Sequence, residues 1–104
     1  MEIQVEQQQD KAIITLDQNI IIGSDAAKIQ NAVLDSIQNG SKTIVVDLSQ
    51  LDYITSWGIG SLIHALTTCT NRNTQFYLTG VNDKVAEILK KVKLDKIFNI
   101  KEKI

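Results

Sequence analysis

Two short blocks constrain this chain more than anything else in it. TIVVDLS (43–49) and TQFYLTG (74–80) are strand-like, and a segment with helical spacing, IGSLIHAL (59–66), lies between them. Ile44, Val45 and Val46 are consecutive. A strand that is apolar on successive residues is buried on both faces, which is the habit of parallel sheets. Parallel neighbours need a crossover connection, usually a right-handed helix. The chain is thereby committed to an α/β fold with a mostly parallel central sheet.

The remaining segments extend that frame. EIQVE (2–6) alternates apolar and polar residues, AIITL (12–16) is a second strand, and the polar QQQDK between them predicts an antiparallel N-terminal hairpin. NIII (19–22) reads as a short strand or an extended lead-in. Ser24 or Asp25 is placed to cap a first helix, with Ala26, Ile29, Val33 and Ile37 on one face and Gly40 at its C-terminal cap. A second helix starts near Ser56 or Trp57, with a predicted buried stripe of Ile59, Leu62, Ile63 and Leu66. Asn82 or Asp83 caps a third, whose face is Val85, Ile88, Leu89 and Val92. LDKIFNIKEKI closes the chain with a turn and room for one short strand. The expectation is four to five strands, an N-terminal antiparallel hairpin and three or more helices, in a single domain over 1–104.

Composition narrows the partners. The net charge is −1, and lysines gather only near 84–96, so no concentrated basic face for nucleic acid is expected. Cys69 is the single cysteine, which rules out an intrachain disulfide and fits a reduced, cytoplasmic setting. No apolar run approaches the ~20 residues of a membrane span, and the acidic start MEIQVEQQQD does not read as a signal peptide.

Enzyme chemistry is hard to assemble. GIGSLI (58–63) lacks the third glycine of a dinucleotide fingerprint, and ITSWG (54–58) is not a nucleophile elbow. His64 is the only histidine, with Gly60 and Thr68 one turn either side, so it reads as a partly exposed helix residue rather than a metal ligand. Cys69 reads as an inert residue near a helix end, and Asp47 and Asp52 have no base or phosphate cradle beside them. No catalytic residue, metal or cofactor is expected.

The junction DLSQLDYITSWGIG (47–60) resembles the signature of the STAS domain, the fold of bacterial anti-sigma-factor antagonists. Its usual form is D-L-S-x-[LV]-x-x-[ILM]-D-S-x-G-[LI]-[GA]. GVNDKVAEILKKVKLDKIF (80–98) resembles the family's later part, and the likeness runs from the opening hairpin to Phe98. The final helix that many members carry would be short or missing here. The resemblance implies a protein–protein switch. The partner is an anti-sigma factor that is a GHKL-type serine kinase, and it phosphorylates a serine at the start of the second helix. A serine phosphatase reverses the step. Ser56 matches that serine, and Thr55 is the alternative acceptor. The implied partner surface is Asp52, Thr55, Ser56, Trp57, Gly58, Ile59, Gly60 and Ser61, on a monomer or weak dimer. A second implied role is an unphosphorylated structural subunit of a transporter ATPase or other signalling complex, where a threonine can occupy the motif.

Two positions depart from the family pattern. Thr55 stands where aspartate is usual, and Trp57 where a small residue is usual. Each notable residue also has a plain structural reading. Ser56 could be an ordinary helix cap, Trp57 could fold over the loop instead of meeting a partner, and Gly58 and Gly60 could serve packing instead of leaving the first turn bare for a partner's approach. The lysines at 84, 90, 91, 93 and 96 read as a solvated face.

Overall fold

The computed structural model describes residues 2–102. In chain order the elements are β1 (Glu2–Gln8), β2 (Lys11–Asp17), a 3-10 turn (Gly23–Asp25), α1 (Ala26–Gln38), β3 (Thr43–Asp47), α2 (Ser56–Asn71), β4 (Gln75–Thr79), α3 (Asp83–Lys91) and β5 (Asn99–Lys101). The strands form one five-stranded sheet in the order β1-β2-β3-β4-β5. β1 and β2 are antiparallel, and every later pair is parallel. The sheet is therefore a hairpin followed by successive crossovers, as the sequence reading requires.

The helices share one face of the sheet. Ala12, Ile14, Ile44, Val46, Phe76 and Leu78 form one apolar core with Ile29 and Val33 of α1, Leu62, Ala65 and Cys69 of α2, and Val85 and Leu89 of α3. Val45 belongs to the opposite face, outside that core, and is still only 1% exposed. Ile13 and Tyr77 flank it in register on the neighbouring strands. Burial on both faces is real at this position, but strand neighbours flank Val45 on the second face while the helices pack on the first.

All three helices end in the same way. After α1, the Gly40 amide donates to Ile37 and the Ser41 amide to Ser36. After α2, Asn73 donates to Thr70 and Thr74 to Cys69; after α3, Lys93 donates to Lys90 and Leu94 to Leu89. Gly40, Asn73 and Lys93 all have positive φ, of 98°, 54° and 62°. This is the paired hydrogen bonding of the Schellman motif, which satisfies carbonyls left over at a helix end. Only Gly40 is visible from residue type; Asn73 and Lys93 carry the same turn without being glycine.

Three details differ from the sequence reading, while NIII (19–22) keeps the second of its two readings: it forms no strand, the chain bends at 18–20, and Ile22 enters the 3-10 turn in extended geometry. That turn, not foreseen, delays α1 to Ala26, and Asp25 makes no capping hydrogen bond to α1. Ile63 is exposed, because the buried line of α2 runs through Gly58, Ser61, Leu62, Ala65 and Cys69. Val92 is exposed because α3 stops at Lys91 and Val92 is already its C-terminal cap.

Candidate functional site

The loop 48–55 carries the chain from the end of β3 to α2, and hydrogen bonds fix its course. The Leu48 amide donates to Thr79, Leu51 to Leu48, and Asp52 to Asn19. Asn82 works in two directions at once. Its Nδ2 donates to the Leu51 and Asp52 carbonyls at 2.8 and 3.2 Å, and its Oδ1 accepts from the Val85 amide at 2.8 Å, capping α3. The sequence offered Asn82 or Asp83 as the cap and gave no sign of the tether. Gly80, at φ +70°, lies so close to the Asp47 carboxylate and the Ser49 amide that a Cβ would sit 2.7 Å from each. Asp47 itself accepts from the Ser49 amide at 2.8 Å, so its carboxylate holds the loop's first turn.

At the mouth of α2, neighbouring hydroxyls have different surroundings. Thr55 is the N-cap: its Oγ1 accepts from the Gly58 amide at 3.4 Å and donates to the Ile21 carbonyl at 3.1 Å. Ser56 is the first helical residue and is exposed. Among the described residues its hydroxyl has no hydrogen-bond partner. The capping role open to Ser56 in the sequence therefore belongs to Thr55, because Ser56 already has helical backbone geometry and a cap residue must lie just outside the helix.

Around these two residues the expected surface divides. Trp57 is 63% exposed. Its ring passes over Gly23, where a Cβ would meet ring carbons at 3.4 Å. Trp57 thus rests on the 3-10 turn by one face and still offers most of its surface to solvent. Asp52 and Gly60 are exposed, and Ile59 is half-buried against the core. Gly58 is buried, contrary to the idea that it leaves the first turn bare: a Cβ there would lie 2.8 Å from Ile54 Cγ1 and 3.3 Å from Ile21 Cδ1. Its bareness lets the helix start seat against those two isoleucines. Ser61 is also buried, and its Oγ donates to the Trp57 carbonyl at 2.8 Å. Ala26, Ser56, Trp57, Gly60, Ser61 and His64 line one shallow groove between the starts of α1 and α2.

Of the residues that line this groove, one is ionisable. That residue, His64, is exposed, and no acidic side chain lies in the first turn of α2. A helix start exposes unpaired amides and about half a positive charge, which suits an anion. Cys69, inside the core, has its thiol pushed up to about 11 by burial, so it is held as an unreactive thiol. Among the described residues no three His, Cys, Asp or Glu side chains gather in a way that could hold a metal ion. No described helix is long and apolar enough to cross a membrane.

The family model of the STAS domain matches residues 2–104. The chain belongs to the STAS family. Solved structures share the STAS fold across almost the whole chain. A Thermotoga maritima protein, solved as a candidate anti-sigma factor antagonist, has TM-score 0.83 at 24% identity, over 98% of this chain and 87% of that one. A serine-to-glutamate variant of RsbS from Moorella thermoacetica has TM-score 0.82 at 18% identity, covering 100% and 89%. The antagonist SpoIIAA, in its unphosphorylated form, has TM-score 0.78 at 14% identity, covering 98% and 90%. At these identities the likeness speaks for the STAS fold alone.

Proposed function

We propose that this STAS domain is a regulatory protein-binding module of the anti-sigma-factor antagonist type, switched by phosphorylation of Ser56. One observation carries the reading: the Ser56 hydroxyl is exposed and unengaged at the start of α2, while Thr55 performs the capping. A kinase can reach Ser56 without dismantling the helix. Thr55 is the poorer acceptor, being half-buried with its hydroxyl committed to Ile21 and Gly58. A phosphate on Ser56 adds a charge of about −1.5 to −2 beside amides that favour it, so the fold tolerates it. The same charge alters what can dock in the groove and on Trp57, because an unanswered charge is costly to desolvate. SpoIIAA is described in an unphosphorylated form and RsbS as a serine-to-glutamate variant, which agrees with a serine-based switch in this fold. The partners are an anti-sigma factor of the GHKL kinase type and a serine phosphatase, met in the cytoplasm, and the domain itself is a substrate and ligand rather than an enzyme.

The test is to recover the tagged protein from its native cell with its partners, then add ATP and measure intact mass. The expected result is a co-purifying GHKL-type kinase and one added phosphate on Ser56. Ser56→Ala abolishes the mass shift and Thr55→Ser retains it. Equal labelling of Ser56→Ala removes Ser56 as the acceptor, and capture of a transporter ATPase without labelling supports the structural-subunit role instead.

A further inference from the structure

The first strand is an open edge. β1 has β2 on one side and no partner on the other among the described residues. It is seven residues long and pairs in unbroken register with β2, with no bulge, proline or lysine along it. Natural edges are usually blunted by such devices or by charged side chains, because bare N–H and C=O groups recruit another strand; the charges along β1 are Glu2 and Glu6 alone. Beside the edge lies a groove that includes Ile3, Val5 and Gln7 of β1 and Lys28, Ala32 and Asp35 of α1. Val5 is 48% exposed in it. None of these residues lines the Ser56 groove.

We infer that this edge is the seat of a second copy of the same chain, joined β1 to β1 in antiparallel fashion about a two-fold axis through Val5. The strand's own sequence selects that register. A two-fold axis normal to the sheet keeps the helices of both copies on one face, so residues facing each other must share a face, and the axis must pass through a residue. Centred on Gln4, the pairing sets Glu2 against Glu6 of the second copy; centred on Glu6, it sets the two Glu6 side chains together. Like charges directly opposite destabilise a sheet. Centring on Ile3 or Gln7 shortens the overlap. Centred on Val5, all seven residues pair: Val5 meets Val5, Ile3 meets Gln7, and each glutamate meets a glutamine.

The helices supply a second, independent match. The axis runs α1 antiparallel to its copy across the seam. Lys28 and Asp35 both border the groove, ~10 Å apart along α1 at 1.5 Å per residue. Neither is in an ion pair within its own chain among the described residues. The two-fold brings Lys28 of each copy toward Asp35 of the other, the self-complementarity that an isologous interface requires. Ala32, between them, leaves room for close approach.

Sedimentation velocity over roughly 10 µM to 1 mM, a range that covers weak association, tests this. Wild type is expected to pass from monomer to dimer. Val5→Lys, which sets two ammonium groups on the axis at an exposed position, raises the dissociation constant at least tenfold with an unchanged circular dichroism spectrum. Lys28→Glu weakens the dimer several-fold, and Lys28→Glu with Asp35→Lys restores it. A wild-type chain that stays monomeric throughout overturns the proposal. So does a dimer indifferent to Val5→Lys, or a double variant no tighter than Lys28→Glu alone.

Discussion

Thr55 and Ser56 carry the same functional group one residue apart, and the backbone decides what each can do. Thr55 sits just outside the helix in an extended conformation (φ −101°, ψ 175°), from which its oxygen faces back to the Gly58 amide. Ser56 is one step inside and turned to solvent. Thr55→Ala is expected to cost ~1 kcal/mol, since it removes an N-cap acceptor, and to lower the unfolding midpoint by about 4–8 °C for a domain of this size. Ser56→Ala should stay within about 0.5 kcal/mol of wild type, as surface changes do. Thermal unfolding of both variants checks the division of labour; equal losses would contradict it. At this scale the sequence showed that hydroxyls stand at a helix mouth, but not which one caps. Cap identity depends on where helical φ and ψ begin, and that boundary moves by a residue without altering the apolar pattern. Gly58 was left between packing and a bare first turn for a related reason: the side of a helix that faces inward is set by how Ile21 and Ile54 meet it.

The elements most legible in the sequence were those with clean periodicity. Asn82, Gly40 and the strands at 43–47 and 75–79 stand where pattern and turn chemistry put them. The 3-10 turn was hidden because GSD looks like a simple cap sequence. Its structural content is Asp25, 2% exposed, whose carboxylate accepts from the Ile22 amide and from Gln18 Nε2, each at 2.9 Å. Burial pushes its pKa up, but the Ile22 and Gln18 hydrogen bonds pull it down, and the net shift is below the ordinary value of 3.8. A carboxyl whose folded pKa is depressed favours the folded state above its unfolded pKa, and that contribution disappears as pH falls through the folded value. Asp25→Asn is therefore expected to lose about 1.5–3 kcal/mol at pH 7, the worth of a hydrogen bond to a charged group, and to differ little from wild type in acid below the Asp25 pKa. Urea midpoints at pH 7 and in acid read this directly, and a constant difference across the range would contradict it. The turn also supports the site, since Trp57 lies on Gly23 two residues before Asp25.

For the molecule as a whole, the constraint from the two strand blocks was sufficient to foresee a mostly parallel sheet with a leading hairpin. It did not foresee that all helices would share one face, because Val45 is buried either way. The one-sided arrangement puts the apolar core behind α2, and the helix start, Trp57 and the loop tied by Asn82 form a platform on its outer side. Under the proposed function, phosphorylation of Ser56 changes the surface charge of this platform and leaves the fold unaltered. Titration calorimetry of the proposed anti-sigma partner against unmodified and Ser56-phosphorylated protein, with the unfolding temperature of each form, measures that claim most directly. The expected result is binding about a hundredfold weaker after phosphorylation, ~2.7 kcal/mol, with unfolding temperatures within a few degrees of each other. Equal affinity of the two forms, or a phosphorylated form that binds weakly because it has unfolded, would contradict it.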